Sequence, residues 1–382
     1  MENKIKILHI LESVTGGGVE KRRLSLAKLL DKNKFTQVII CSQALRYIPE
    51  EIRKNGVEII EIGELGSPFN IKLHKKVQKI IDDYRPDIIH GAVFEGVTLA
   101  AVNGWLRKVP IIIIEETSDP QNRSWKGDFL MKIFAKLSDK IVGVSEGITE
   151  EYLKEKLKIP ACKVQLINNG VVLPREVNNA EISNAKLQFN IQEKDFVIGS
   201  VGRMLSDEHK RFSDLIDAFA IFAKNKTNVK LLLIGEGPEK AKYLKKVAEL
   251  DIKDKVIFAG YQADVTLFYK LMNVFSLVSA REAFGLVLAE AMLNNLPIVA
   301  TRVGGMKYIV DDNKTGFLIE KSDVTDLALK FNILYNDSNL REKFSRAGFE
   351  KAVLEYTEEN YVQKVANLYD ELLTARKIKK PW

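Results

Sequence analysis

The stretch richest in chemistry is Ser279-Ala280-Arg281-Glu282-Ala283-Phe284-Gly285-Leu286-Val287-Leu288-Ala289-Glu290-Ala291-Met292. It runs from the end of an apolar, strand-like segment through a short loop into a helix-period segment that starts near Gly285. First-turn amides at Phe284, Gly285 and Leu286 would then lie at the positive end of a helix, where they can hold a diphosphate without a metal. Glu282 falls in the loop at the mouth of such a site, and Glu290 more than a turn into the helix. Carboxylates at two depths suit hydroxyl recognition better than a shared proton, because a carboxylate accepts two parallel hydrogen bonds from a vicinal diol. The alternative at this level is a pair of surface glutamates. A second candidate is Thr15-Gly16-Gly17-Gly18-Val19-Glu20, between strand-like Ile5 to Leu11 and a helix carrying Leu24, Leu26, Leu29 and Leu30. Glycines at such a turn let backbone amides approach an anion or a substrate. The spacing is neither a dinucleotide fingerprint nor a P-loop, so a plain tight turn is the equal alternative.

These residues need elements to hold them. Short Ile- and Val-rich runs recur at Ile5 to Leu11, Gln37 to Cys41, Val57 to Ile62, Ile88 to His90, Ile111 to Glu115, Lys140 to Val144 and Val164 to Ile167, separated by charged helix-period segments. That alternation predicts buried parallel strands with crossover helices. It stops over the polar stretch Leu173 to Asn184, which reads as a domain linker, and restarts at Phe196 to Val201, Lys230 to Ile234, Val256 to Ala259, Val274 to Val278 and Pro297 to Thr301. From Asp323 on the chain is helical and charged, a solvated cover by default. The sequence therefore predicts two α/β domains, 1–175 and 176–357, whose strand ends would face each other across a cleft.

Composition sets the outer limits. The 382 residues are 46% hydrophobic and 29% charged, which excludes long disorder and a single small module. A net charge of +7 is compatible with phosphate ligands, anionic lipid or nucleic acid and selects none. Cys41 and Cys162 are too few for a disulfide scaffold or a cysteine zinc site, and the histidines show no metal-ligand spacing. No apolar run is long enough to span a membrane, and the N-terminus lacks a signal peptide's core, so the expected location is cytoplasmic.

The segment Glu282 to Glu290 resembles the E-x7-E motif of retaining glycosyltransferases of family 4. The same family order is followed by Gly199-Ser200-Val201-Gly202-Arg203 with Lys210, by Leu233-Ile234-Gly235-Glu236-Gly237-Pro238, by Val256 to Gly260, by Leu296 to Thr301, and by Gly304-Gly305 with Asp311 to Phe317. The resemblance covers nearly the whole chain. It implies the GT-B architecture, two Rossmann-like domains, with the last helix, 358–382, packing back on the first. The implied activity is hexosyl transfer from a nucleotide-diphosphate sugar, UDP favoured and GDP the alternative, to a hydroxyl of a glycan or lipid-linked acceptor in surface polysaccharide synthesis. By the same carry-over Arg203 and Lys210 contact the diphosphate, Glu282 the donor sugar, the amides of Phe284, Gly285 and Leu286 a phosphate, and Glu290 the ribose. Gly17 and Gly18 approach the donor phosphates and the acceptor. No D-x-D sequence is present, so neither a metal nor any other cofactor is required.

Three positions depart from the family pattern. Where many members carry a histidine after the fifth strand, this chain has Glu115-Glu116-Thr117; Val172 follows Asn169-Gly170-Val171 in place of an aspartate; and Tyr308 replaces a glutamate. Glu116 is accordingly a candidate contact to sugar or acceptor, with a simple loop carboxylate as the alternative, and His90 is a lesser one, with a hydrogen-bonded strand-end residue as the alternative. Basic clusters at Lys21-Arg22-Arg23, Lys72 to Lys79 and Lys377 to Lys380 read as solvated helix faces or as a site for anionic lipid at the inner face of a membrane. Aromatic interleaving and nucleic-acid motifs are absent. The rival functions are a nucleotide-sugar epimerase and a noncatalytic nucleotide-sugar-binding subunit of the same fold.

Overall fold

The computed structural model describes residues 4–64, 67, 70–120, 123–206 and 209–379. By contacts the chain divides into unit 1, Met1–Gly170 with Glu358–Trp382, and unit 2, Val171–Thr357. The chain thus leaves unit 1 a few residues before the expected boundary.

Unit 1 alternates strand and helix: β1 (Ile5–Ile10), α1 (Gly18–Leu29), β2 (Phe35–Cys41), α2 (Tyr47–Lys54), β3 (Glu58–Glu61), α3 (Ile71–Tyr84), β4 (Ile88–Ala92), α4 (Val93–Leu106), β5 (Ile111–Glu116), α5 (Trp125–Leu137), β6 (Lys140–Gly143) and β7 (Val164–Leu166). The seven strands are those the apolar runs predict, and they form one parallel sheet in the order β3-β2-β1-β4-β5-β6-β7. Alternate residues of a strand serve opposite faces. Ile7, Ile88, Ile111 and Ile113 pack with Leu26 of α1 and with Leu30 at its C-terminal cap, and with Tyr361, Val365 and Tyr369 of the C-terminal helix. Leu8, Ile10, Ile89 and Ile112 pack with Leu73, Val77 and Leu99 of α3 and α4 on the other face.

Unit 2 holds α6 (Asn179–Gln188), β8 (Phe196–Val201), α7 (Phe212–Phe222), β9 (Val229–Ile234), α8 (Lys240–Glu249), β10 (Val256–Gly260), α9 (Thr266–Tyr269), β11 (Val274–Leu277), α10 (Leu286–Leu293), β12 (Ile298–Thr301), α11 (Met306–Ile309), β13 (Gly316–Ile319), α12 (Val324–Asn336) and α13 (Ser338–Glu355); α14 (Glu358–Lys379) then returns to unit 1. Its six parallel strands run β10-β9-β8-β11-β12-β13. Two features differ from the sequence expectation. The supposed linker contains α6, which opens on a capping box between Asn178 and Glu181 and buries only Ala185, so no apolar period betrays it. The sixth strand, β13, is four residues long and pairs Gly316 with Ile298, too short to stand out beside the polar residues before it.

Both sheets reverse their winding beside the first strand, between β1 and β4 in unit 1 and between β8 and β11 in unit 2. In open α/β sheets the loops leaving the carboxyl ends of such neighbours spread apart and make room for a ligand.

Candidate functional site

In unit 2 the loops at this switch point carry the residues singled out above. Gly235, at φ 134°, lies where a Cβ would come within 2.0 Å of the Gly202 carbonyl oxygen, so the turns after β8 and β9 touch backbone to backbone. The Met204 amide donates to the Glu236 carbonyl at 2.9 Å, and the Ala280 amide to the His209 carbonyl at 2.7 Å. The second of these bonds brings Lys210 to the loop after β11, where its ammonium forms an ion pair with the Glu282 carboxylate, each side chain about one-fifth exposed (22% and 21%). Arg203 is exposed on the preceding loop.

The same loop is backed by Gly305, whose amide donates to the Glu282 carbonyl at 2.9 Å and whose missing Cβ would lie 2.3 Å from the Ala283 carbonyl oxygen. Gly285, at φ 103°, is the N-cap of α10, and as glycine it has no side chain of its own with which to cap this terminus. Phe284 is buried edge-on against Tyr356, with ring centroids 5.6 Å apart. The first-turn amides of an α-helix have no intrahelical acceptor, so this end of α10 offers donors and a positive dipole. Glu290 accepts a hydrogen bond from the Tyr269 hydroxyl at 2.9 Å. Burial first, then the Glu290 charge, pushes the Tyr269 phenol well above its usual range, so it stays a donor. Tyr269 was not singled out in the sequence; nothing in its spacing links it to Glu290.

Unit 1 presents a different charge at its own switch point. Gly17 is the N-cap of α1, again without a side-chain cap, but a Cβ there would meet the Glu20 carboxylate at 2.5 Å. Burial first, then the Glu95 and Glu20 carboxylates, raises the Glu12 carboxyl above its usual value. A guanidinium nitrogen of Arg46 lies 3.7 Å from the Cβ position of Gly16. The surroundings of Gly17 and Gly18 are therefore largely acidic, which suits hydroxyls better than the phosphates the resemblance implied.

Glu116 and His90 have surroundings that match the structural alternatives rather than a ligand contact. Glu116 closes β5 at 3% exposure; its oxygens form an ion pair with Arg123 and accept from the Ser118 hydroxyl at 2.8 Å and the Ser118 amide at 3.2 Å. Its partners are the residues of the β5–α5 loop, so it fixes that loop and offers little to a ligand. His90 lies in the core at 2% exposure, with Nδ1 2.8 Å from the Tyr369 hydroxyl on α14.

A buried charge cluster also changes the meaning of the basic segment after the glycine loop. Arg22 and Arg23 both pair with Glu115, the latter at 2.7 Å, and Arg23 donates to the Tyr361 hydroxyl of α14 at 3.1 Å. All three charged side chains are 2% exposed or less. Burial alone would raise the Glu115 carboxyl; the two guanidiniums outweigh it and hold the group far below the carboxylate range. Lys21-Arg22-Arg23 is thus no lipid-facing patch. A sequence signal existed: Arg22 and Arg23 lie four and three residues before the core residue Leu26, on its helix face. On α3, Lys79 pairs with Asp83 at 2.8 Å and Lys76 donates to the Ile62 carbonyl at 3.1 Å. The basic tail continues α14 to Lys379, and Lys380 lies outside the described residues.

Among the described residues no group of three or more His, Cys, Asp or Glu is placed to hold a metal ion, and no helix is long and apolar enough to cross a membrane.

A paired set of parallel Rossmann-like sheets with an uncapped helix and an ion pair at the switch point of the second defines a class, and comparison with known proteins gives it a family. Residues 16–175 match the model of Glycosyltransferase Family 4, and residues 181–351 that of Glycosyl transferases group 1. The chain belongs to the family 4 glycosyltransferases. It is 29% identical over 244 residues to N-acetyl-alpha-D-glucosaminyl L-malate synthase of Bacillus anthracis, covering 64% of this chain and 62% of that one. It is likewise 29% identical over 241 residues to the capsular polysaccharide biosynthesis glycosyltransferase CapM of Staphylococcus aureus, covering 61% and 62%. These matches span less than two thirds of either relative's length. Among solved structures, Anabaena HepE in complex with UDP aligns with a TM-score of 0.84 at 20% identity, over 96% of this chain and 100% of that one. That likeness shows the GT-B fold.

Proposed function

We propose that this protein is a retaining glycosyltransferase that moves a sugar from a UDP-sugar to a hydroxyl of a glycan or glycolipid acceptor in surface polysaccharide assembly. The observation that carries the proposal is the Lys210–Glu282 pair beside the uncapped start of α10 at the switch point of unit 2. A cation with a row of backbone donors fits a diphosphate, and a neighbouring carboxylate fits sugar hydroxyls. HepE, of the same fold, was solved with UDP, and the CapM relative is named for capsular polysaccharide biosynthesis.

In this proposal Arg203 and Lys210 take up the charge that grows on the diphosphate as it leaves, together with the amides of Phe284, Gly285 and Leu286, and no metal is needed. Glu282 holds Lys210 in place and contacts the donor sugar. Glu290, oriented by Tyr269, binds the ribose. Gly17 and Gly18, in their acidic surroundings, receive acceptor hydroxyls. The anomeric carbon's bond to the β-phosphate oxygen breaks while its bond to the acceptor oxygen forms on the same face, and the departing phosphate oxygen takes the acceptor's proton. The protein supplies position and charge, and no side chain is covalently attached. The rivals, an epimerase and a noncatalytic subunit, would bind the nucleotide without needing an acceptor.

The test is calorimetric titration with UDP, GDP and ADP in metal-free buffer, repeated on Lys210→Ala and Glu290→Ala. UDP binding at least about tenfold weaker in each variant is expected, from the loss of one charged hydrogen bond. Undiminished binding in both variants, or no binding of UDP to the native protein, would remove the proposed site.

A further inference from the structure

Helix α5 shows a face that nothing among the described residues of unit 1 covers. Its inner side buries Met131, Phe134 and Ala135, while Trp125 is 73% and Phe129 59% exposed. Trp125, Phe129, Lys132 and Lys136 follow one another at four-, three- and four-residue steps, which places them along one side of the helix. Lys126 joins them beside Trp125, with its ammonium 5.8 Å from the indole ring. Lys126, Lys132 and Lys136 are exposed, and none has an ion-pair partner among the described residues. The acidic residue of this helix, Asp128, is already neutralised: it pairs with Lys156 at 2.8 Å and accepts from the Tyr152 hydroxyl at 2.9 Å. The helix is held firmly at its start, since Ser124 caps the Gly127 amide at 3.2 Å and the neighbouring Arg123 is paired with Glu116.

We propose that this face of α5 docks on an anionic phospholipid surface. Large aromatic side chains at the edge of a bilayer place their rings among the headgroups, and lysines on the same face add attraction to anionic lipid. The charge pattern argues against a second copy as the occupant, because a self-complementary contact would bring lysines against lysines. The clusters that sequence spacing suggested serve this less well: Arg22 and Arg23 are buried on Glu115, and α3 exposes its lysines with no exposed aromatic beside them among the described residues. A lipid-linked acceptor under the proposed function gives the contact its purpose, but the docking itself stands apart from that reading.

The experiment is co-sedimentation of the full chain with vesicles of phosphatidylcholine, with and without phosphatidylglycerol, for the native protein, W125A/F129A, K126E/K132E/K136E and, on α3, K72E/K75E. Each preparation is also titrated with UDP, so that a misfolded variant, or failure of the nucleotide site itself, shows separately. The expected result is binding only with phosphatidylglycerol, reduced by added salt, at least tenfold weaker in both α5 variants and unchanged in the α3 variant. Absence of binding by the native protein, equal binding to neutral vesicles, retention by either α5 variant, or loss in the α3 variant would each overturn the proposal. A concentration-dependent dimer in light scattering, abolished by W125A/F129A, would overturn it in favour of self-association.

Discussion

The buried histidines of unit 1 predict a steep loss of stability in mild acid. His90 is pushed down to about 3 by burial and then by Arg23, and His9, with the same two leading causes, lies well below its usual value. Both stay neutral in the folded chain while the unfolded chain protonates them near their ordinary value. The unfolded state therefore binds more protons, and stability falls as pH drops through about 6.5, continuing until the folded pKa is reached. Between about pH 7.5 and about pH 5.5 each histidine should remove on the order of 1 kcal/mol, and the pair about 2–3 kcal/mol. Glu12, with its raised carboxyl, works in the opposite direction, and Glu12→Gln takes it out of the comparison. The assay is denaturant unfolding at the two pH values, with hydrogen exchange on β1 and β4 locating the effect. His90→Gln should keep a hydrogen-bonding group near Tyr369 and cut the pH sensitivity by about half. Equal stability at the two pH values, or undiminished sensitivity in His90→Gln, would refute the linkage.

Other substitutions test the remaining structure. Glu115→Ala leaves Arg22 and Arg23 buried without their carboxylate and should destabilise unit 1 by about 3–5 kcal/mol in denaturant titrations; a change under about 1 kcal/mol would mean that the guanidiniums reach water. Tyr269→Phe removes the donor to Glu290, and calorimetry should show UDP binding weakened by about 1–2 kcal/mol with little change in melting temperature. Gly235→Ala meets both a positive φ and a carbonyl at 2.0 Å, whereas Gly56→Ala meets a positive φ in open space. The first should cost over 2 kcal/mol and the second about 1 kcal/mol, so equal melting temperatures would contradict the close approach.

The sheets were legible because their signal is local. Ile111–Glu116 is buried at every position, and a run apolar on both faces announces itself in sequence. Capping is also local, yet α6 escaped because a helix burying one residue has no period to find. The turn into α10 at Gly285 was readable for the same local reason, and the structure joins Glu282 to Lys210, 72 positions apart in sequence. Contacts at such range have no local signature: Glu115 with Arg22 and Arg23, or Tyr269 with Glu290, combine residues that look like surface charges or core aromatics when read alone. Glu116 was singled out by counting along a family pattern, and one position earlier lay the residue with the deeper structural role. Lysine runs misled for a related reason, since a formal charge in sequence says nothing of the carboxylate that the fold places against it.

The two switch points share a backbone plan and differ in charge. Each has a glycine at the start of a helix without a side-chain cap, after the first strand in unit 1 and after β11 in unit 2. In unit 1 the Glu20 carboxylate approaches that terminus, and burial with the Glu95 and Glu20 charges raises the Glu12 carboxyl beside it. A diphosphate entering there would face the like charge of these carboxylates, which the Arg46 guanidinium, and that of Arg22, already paired with Glu115 while donating to the Gly18 carbonyl at 3.4 Å, only partly offset. In unit 2, among the described residues, the loops beside the helix start carry the Lys210–Glu282 pair and exposed Arg203. Under the proposed function, this contrast supports an anionic nucleotide on unit 2 and an uncharged, hydroxyl-bearing acceptor on unit 1.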